Sequence, residues 1–240
     1  MINPFASGFN RIIFFEFKTN PNEPWIAEFL AQIENCEALY GITGEYSLFA
    51  SFRFRDDPQF TDLLRRVDEM MSKSVFKKYH FINVIQCFKE NRGIFEGEAC
   101  LKRELDEVDC RILQIMRSQI RHVHRPEPLT TTEVSRILGR LGTPISQPSV
   151  FRRLKRLRMD KVILRDSVDI DYGELGFQTS LILKIKVNPI FYDRLARERL
   201  VFMKEITDLY RTSEDYGLLA MVQVRSIREY NDFVIKLYDS

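Results

Sequence analysis

The order of apolar and polar positions divides the chain into elements before any other property is considered. Arg11 to Lys18 is an Ile- and Phe-rich run of strand length, ended by Asn20-Pro21 and by Asn22 to Pro24. Trp25 to Asn35 places Trp25, Ile26, Phe29, Leu30 and Ile33 at helical spacing. Ala38 to Ile42 and Ser47 to Arg55 alternate about the turn Thr43-Gly44-Glu45 and predict a hairpin. Phe52 and Phe54 fall on one of its faces and Phe49 on the other. Asp56-Asp57-Pro58 opens a helix whose apolar side is Phe60, Leu63, Leu64, Val67 and Met71, and Lys77 to Phe88 reads as a closing strand. The order βαββαβ predicts a ferredoxin-like, split-βαβ domain over residues 1–90.

The period then changes. Gly93, Gly97 and unperiodic charges predict a linker over 91–104. From Leu105 the apolar residues Leu105, Val108, Ile112 and Met116 return at helical spacing. Arg121 to Leu129 holds two prolines and reads as a loop. Thr130-Thr-Thr132 offers caps for a second helix with Val134, Ile137, Leu138 and Leu141 inward, ended by Gly142-Thr-Pro144. A third helix begins at Ser146, with Pro148 in its first turn and Val150, Leu154 and Leu157 as its apolar stripe. Val162-Ile-Leu164 and Val168 to Ile170 predict a small strand pair beyond it. Helix, helix, turn, helix, wing over 105–170 is a winged helix-turn-helix.

The last segment, 171–240, repeats the first. Lys18-Thr-Asn-Pro21 recurs as Lys186-Val-Asn-Pro189, Leu39-Tyr40 as Leu209-Tyr210, and Phe60 as Tyr230. The repeat predicts strands Gln178 to Val187, Val201 to Tyr210 and Leu218 to Val224, with helices near Tyr192 to Arg199 and over Ile227 to Tyr238. In this alignment Ser240 matches Met70, so the second copy has no counterpart of the first copy's closing strand. The expectation is a sheet edge covered by a partner chain or by the other copy. The fold class expected is α+β, a winged helix-turn-helix flanked by two ferredoxin-like βαββαβ domains, the second incomplete.

Charge sharpens one element. From Ser146 to Arg165 seven basic residues stand against Asp160 alone, whereas the whole chain carries only +2. At about 100° per residue Ser149, Arg152, Lys155 and Arg156 fall opposite the apolar stripe. A cationic face this local is the footprint of polyanion binding. Cys36, Cys87, Cys100 and Cys110 are widely separated, with neither a Cys-x-x-Cys pair nor a histidine at zinc spacing, so buried thiols and no metal site are expected. No apolar run reaches the length of a membrane span and the first residues lack a secretion pattern, which sets the expectation at a cytoplasmic protein.

With Leu105-Asp106-x-x-Asp109-x-x-Ile112-Leu113, Ile145-Ser146-x-x-Ser149-Val150-x-Arg152-Arg153-Leu154-x-Arg156-Leu157, Val162-Ile163 and Asp171-x-x-x-Leu175-Gly176, the chain resembles the Lrp/AsnC (feast/famine) transcription regulators over most of 105–240. It differs from the family's usual order in carrying an extra sensing-like (RAM/ACT-like) copy in front. The resemblance implies double-stranded DNA as partner, a homodimer or higher oligomer, no cofactor and no enzymatic activity. For DNA, Gln147, Ser149 and Arg152 are the expected base readers, Ser146 opens the helix, and Arg153, Lys155 and Arg156 are the expected phosphate clamps. The family's pocket for an amino-acid-like effector lies near the loop between the second and third strands of the sensing domain. Here those loops supply Thr43, Gly44, Tyr46 and Ser47 in the first copy, and Ser213, Asp215 and Tyr216 in the second.

Two other readings stay open. Some proteins resembling this family decarboxylate siroheme with histidines and basic residues, and His80, His122 and His124 are the histidines of this chain. No acid-base pair or nucleophile motif accompanies them. The other reading is an architectural DNA-binding protein in which the repeated domains only assemble oligomers.

Overall fold

The structure is a computed structural model and describes residues 3, 11–95, 105–118, 129–164, 173–177 and 179–238. In chain order it forms β1 (Arg11–Lys18), α1 (Pro24–Ala31), β2 (Cys36–Gly41), β3 (Leu48–Phe54), α2 (Asp57–Ser72), β4 (Lys78–Glu90) and the short β5 (Gly93–Ile94). Three helices follow: α3 (Glu107–Ser118), α4 (Thr131–Arg140) and α5 (Gln147–Met159). The second copy is β6 (Thr179–Ile185), α6 (Tyr192–Glu198), β7 (Ile206–Thr212), β8 (Leu218–Val224) and α7 (Ile227–Tyr238). The chain divides into two compact units, residues 1–10 with 98–170 and residues 11–97 with 171–240.

In the larger unit both copies contribute to one antiparallel sheet of order β2-β3-β1-β4-β7-β8-β6. β4 is long enough to serve both. Its first half pairs with β1, from Lys18↔Lys78 to Ile13↔Asn83, and its second half pairs with β7, from Val84↔Thr212 to Lys89↔Leu209. Of the two covers expected for the second copy's edge, a partner chain or the other copy, this bears on the second. In the first copy the closing strand pairs with β1, so the equivalent place in the second copy lies beside β6. The first copy instead pairs with β7, at the opposite side, and β6 has no strand beyond it among the described residues. The segment 91–104 also begins as ordered structure, because β5 pairs back on β4 and Phe95 is buried.

The alternation of β3 sorts its rings as the sequence predicts. Phe52 and Phe54 join the cluster under α1 and α2 that includes Ile26, Leu30, Leu63 and Val67. Phe49 faces the other way and meets Phe14 at 5.1 Å, and Phe14 in turn meets Tyr210 of the second copy edge-on at 5.0 Å. The second copy has its own core of Tyr192, Leu209, Ala220, Val222 and Phe233. β7 begins later than expected. Leu200–Phe202 is a 3-10 turn rather than a strand start, although its apolar run reads locally as a strand.

Two buried cations of this unit are matched. Arg53 on β3 is ion-paired with Glu37 of β2 at 3.0 Å and with Glu90 of β4. Lys89 donates to the carbonyls of Val201 at 2.7 Å and Met203 at 3.0 Å, and burial lowers the pKa of its ammonium. Cys36 and Cys87 are buried, as expected, their thiols donating to the carbonyls of Ala38 and Lys89; Cys110 is half-buried, and Cys100 lies outside the described residues. No described helix is long and apolar enough to cross a membrane.

The smaller unit packs its three helices around Ile112, Leu113, Val134, Leu138, Val150, Leu154, Leu157 and Val162. These are the stripes the helical periods predict. The wing's first segment is present, with a bridge at Ile163, while Val168 to Ile170 and the loop histidines His122 and His124 lie outside the described residues.

Candidate nucleic-acid interface

Three local devices fix where α5 points. Thr130 caps α4 in a reciprocal capping box, its hydroxyl accepting from the Glu133 N–H while the Glu133 carboxylate accepts from the Thr130 N–H. The turn after α4 is closed by Gly142 at φ +77° and by the Thr143 N–H donating to the Leu138 carbonyl at 2.8 Å. Arg111 of α3 then braces that turn through the Leu141 carbonyl at 3.1 Å and the Thr143 hydroxyl. The turn is therefore pinned from the neighbouring helix. A Cβ at Gly142 would meet nothing within 4 Å, so only backbone conformation opposes a side chain there. Gly142→Ala is expected to lower the stability of this unit by about 1–2 kcal/mol, measured as the shift of the denaturant midpoint at unchanged slope.

α5 starts where the sequence places it. Ser146 is extended and occupies the cap position, but its hydroxyl pairs with that of Ser149 at 3.1 Å rather than with a backbone N–H. Gln147 donates to the Thr131 hydroxyl at 2.7 Å, joining the first turns of α4 and α5. Val150, Leu154 and Leu157 are buried, and the charged side divides in two. Arg153 and Arg156, at helical spacing, turn toward α3. Arg153 contacts Asp106 at 2.6 Å and the fully buried Asp109 at 2.7 Å, and Arg156 reaches Asp109 at 3.1 Å. Burial alone would lower the Arg153 pKa, but the hydrogen bonds to Asp106 and Asp109 outweigh it and raise the value.

Arg152 and Lys155 lie on the exposed side. Among the described residues Arg152 donates only to its own helix, to Ser149 Oγ at 3.2 Å and weakly to the Pro148 carbonyl at 3.4 Å. Lys155 has no partner among the described residues. The seven residues expected to meet DNA are thus contiguous on one helix with different duties. Arg152 and Lys155 face outward, Ser146, Gln147 and Ser149 form the first turn, and Arg153 and Arg156 hold the helix to α3 through two carboxylates. That last assignment differs from the phosphate clamps expected, because a guanidinium facing a buried carboxylate is already neutralised. The signal was present in the sequence: Asp106 and Asp109 are three apart, as are Arg153 and Arg156.

The start of the wing is also anchored. Lys161 at φ +56° turns the chain, and the N–H groups of Val162 and Ile163 both donate to the Leu157 carbonyl. Asn3 is bound here as well, its N–H donating to the Val162 carbonyl at 2.8 Å and its side chain to the Lys161 carbonyl at 3.3 Å. Nothing in the opening residues signals this contact.

The loops expected to hold an effector are occupied by internal pairs. In the first copy Thr43 and Gly44 are exposed, Ser47 exchanges hydrogen bonds with the Thr19 backbone, and Lys78 pairs with Glu45 at 2.7 Å and lies over the Tyr46 ring at 5.4 Å. In the second, Ser213 donates to the Asn83 carbonyl, Asp215 is paired with Lys186 at 2.9 Å, and Glu214 lies 3.1 Å from His80. Lys184 connects the copies, pairing with Glu16 at 2.7 Å while standing 5.5 Å from the half-buried Tyr216 ring. Gly217 closes this loop at φ +68°, where a Cβ would run into the Tyr192 ring. Lys78 holds the Glu45 carboxyl below its ordinary range, and Lys186 does the same for Asp215. A depressed acid contributes stability that is present at neutral pH and lost as pH falls through the folded-state value. Acidification below about pH 4 is expected to loosen both loops, seen as faster amide exchange at 43–47 and 213–217 than at the neighbouring strands. Two cavities, of about 310 and 230 Å3, lie away from both loops, beside α2 and beside α6.

No family model matches the chain. Among curated proteins it is similar to the HTH-type transcriptional regulator FL11 of Pyrococcus abyssi, 28% identical over 134 residues, which are 56% of this chain and 80% of the relative. The HTH-type transcriptional regulator Ptr1 of Methanocaldococcus jannaschii is 28% identical over 135 residues, 56% of this chain and 82% of its own length. Among solved structures, the siroheme decarboxylase NirDL has the same fold over 98% of this chain and 69% of its own, with TM-score 0.61 and 12% identity. LrpC of B. subtilis matches 57% of this chain and 89% of its own, with TM-score 0.45 and 22% identity.

Proposed function

We propose that this relative of the HTH-type transcriptional regulators is itself a DNA-binding transcription regulator of the Lrp/AsnC type, with α5 as the helix that enters the major groove. One observation carries the reading. Arg152 and Lys155 stand outward on α5 while Asp109 of α3 and Asp106 just before it hold the other two arginines and fix the helix in place. Arg152 is suited to guanine, Gln147 and Ser149 to base edges at the helix start, and Lys155 to phosphate. A homodimer would set two such helices about one DNA turn or a multiple apart on a pseudo-palindrome. Selection from random duplex DNA tests the reading. The wild-type chain is expected to enrich a two-fold symmetric site, and Arg152→Ala to lose or relax one position of it. Enrichment of nothing would contradict the reading.

An amino-acid-like effector at the loops 43–47 and 213–217 is the sensing half of the proposal. Because Asp215 and Glu45 are already paired with lysines, a ligand there would have to displace or join those pairs. A rise in melting temperature with one member of an amino-acid panel supports sensing, whereas an unchanged melting temperature across the panel favours an architectural DNA-binding protein.

A tetrapyrrole-acting enzyme is the second reading, and the whole-length fold likeness is the observation in its favour. The one described histidine, His80, is engaged with Glu214. Titration with an iron porphyrin separates the readings. A saturable visible-absorbance shift favours the enzyme, and an unchanged spectrum favours the regulator.

A further inference from the structure

Beside the charged side chains, α5 presents a phenyl ring to solvent. Phe151 is 56% exposed, although the adjacent Val150 is fully buried. It has no ring or cation partner among the described residues. At four residues from Gln147 and from Lys155 it shares their stripe, and Arg152 is its neighbour in sequence. A single exposed apolar residue needs no explanation elsewhere on a surface. In this place the surroundings select the occupant. An apolar protein surface would have to strip water from Arg152 and Lys155 to reach the ring, whereas a duplex meets both cations with phosphate and base acceptors. The major groove offers an apolar group among its donors and acceptors, the pyrimidine 5-methyl, which marks thymine and is shared by 5-methylcytosine.

We infer that Phe151 reads a pyrimidine 5-methyl in the major groove, next to the base contacted by Gln147 or Arg152. The inference rests on the DNA-binding reading above and adds a specificity determinant to it. A methyl contact supplies no charge and no hydrogen bond, so Phe151 contributes to sequence preference without contributing to salt dependence.

The probe is the duplex obtained by selection from random DNA, with each thymine replaced singly by uracil, which removes only the methyl. The wild-type chain is expected to lose about 3–5-fold in affinity, the order of one buried methyl, at one thymine of each half-site. Phe151→Ala is expected to bind the thymine and uracil duplexes equally, with Phe151→Leu between them, and both variants are expected to melt with the wild type because the ring is exposed. Cytosine at that step is expected to bind weakly and 5-methylcytosine to recover part of the loss. Wild-type indifference to every uracil, in a chain that still binds the selected site over a scrambled one, would overturn the inference and leave DNA binding standing. Uracil sensitivity that persists in Phe151→Ala would overturn the residue assignment. Failure to bind any duplex would remove the DNA-binding reading together with the inference.

Discussion

Replacing Asp109 by alanine is expected to lower the unfolding free energy of the helical unit by about 3–5 kcal/mol, the scale of breaking a buried ion pair from one side. Asp109 is fully buried and faces two arginines, so its removal leaves both guanidiniums without their shared carboxylate. Asp106 retains part of Arg153, but that carboxylate is half exposed and also accepts from the Asp109 N–H at the start of α3. DNA binding is expected to vanish with the fold, because the same contacts set the direction of α5. Chemical denaturation of Asp109→Ala and Asp109→Asn measures the effect, with asparagine the milder change. The triple variant Asp109→Leu, Arg153→Met, Arg156→Met removes the charge from all three positions, and the expected result is recovery of most of the stability without recovery of the wild-type DNA contacts. A loss under about 1 kcal/mol for the alanine variant would mean that the cluster behaves as an ordinary surface pair.

The second large effect is on affinity rather than folding. Arg152→Ala combined with Lys155→Ala is expected to weaken binding to the selected duplex by about 100-fold or more while leaving the melting temperature near the wild type. Both side chains are exposed, and neither bonds beyond α5 among the described residues. Taken singly, Arg152→Ala should also relax the preference at one base pair, whereas Lys155→Ala should weaken all duplexes alike and reduce the salt slope by about 1. Fluorescence anisotropy against the selected and scrambled duplexes separates the two. Equal losses on both duplexes for Arg152→Ala would move that residue from base reading to phosphate contact.

Much of this arrangement is legible in the residues. The apolar stripe Val150, Leu154 and Leu157 is the buried face of α5, and Leu218 to Val224 and Ile227 to Tyr238 are β8 and α7 with the ends the pattern predicts. These elements are set by side-chain period and caps, which are local. What was not legible is pairing over distance. The Lys77 to Phe88 run shows a strand but not that its second half joins β7, because a hydrogen-bond ladder leaves no mark on the sequence of either strand. Leu200 to Phe202 is apolar and strand-like, yet the chain turns there to set Leu200 and Val201 into the second copy's core. At the interface, the sequence alone assigns every basic residue of α5 it singles out to DNA, Arg152 to bases and Arg153, Lys155 and Arg156 to phosphates. Burial of Asp109 splits them into helix-holding and outward groups, and only the matched three-residue spacings of Asp106 with Asp109 and Arg153 with Arg156 hint at that division. Asn3 and its contact with the wing had no local signal of any kind.

The claim on which the rest depends is that the outward face of α5 binds duplex DNA by both charge and sequence. Affinity of the full chain for the selected duplex, measured from about 50 to 200 mM salt beside a scrambled duplex, tests it most directly. The expected result is a linear fall of log affinity against log salt, a slope shallower by about 1 for Lys155→Ala, and a preference of about 1000-fold or more for the selected duplex. A flat salt response, or equal affinity for the two duplexes at every salt concentration, would contradict it.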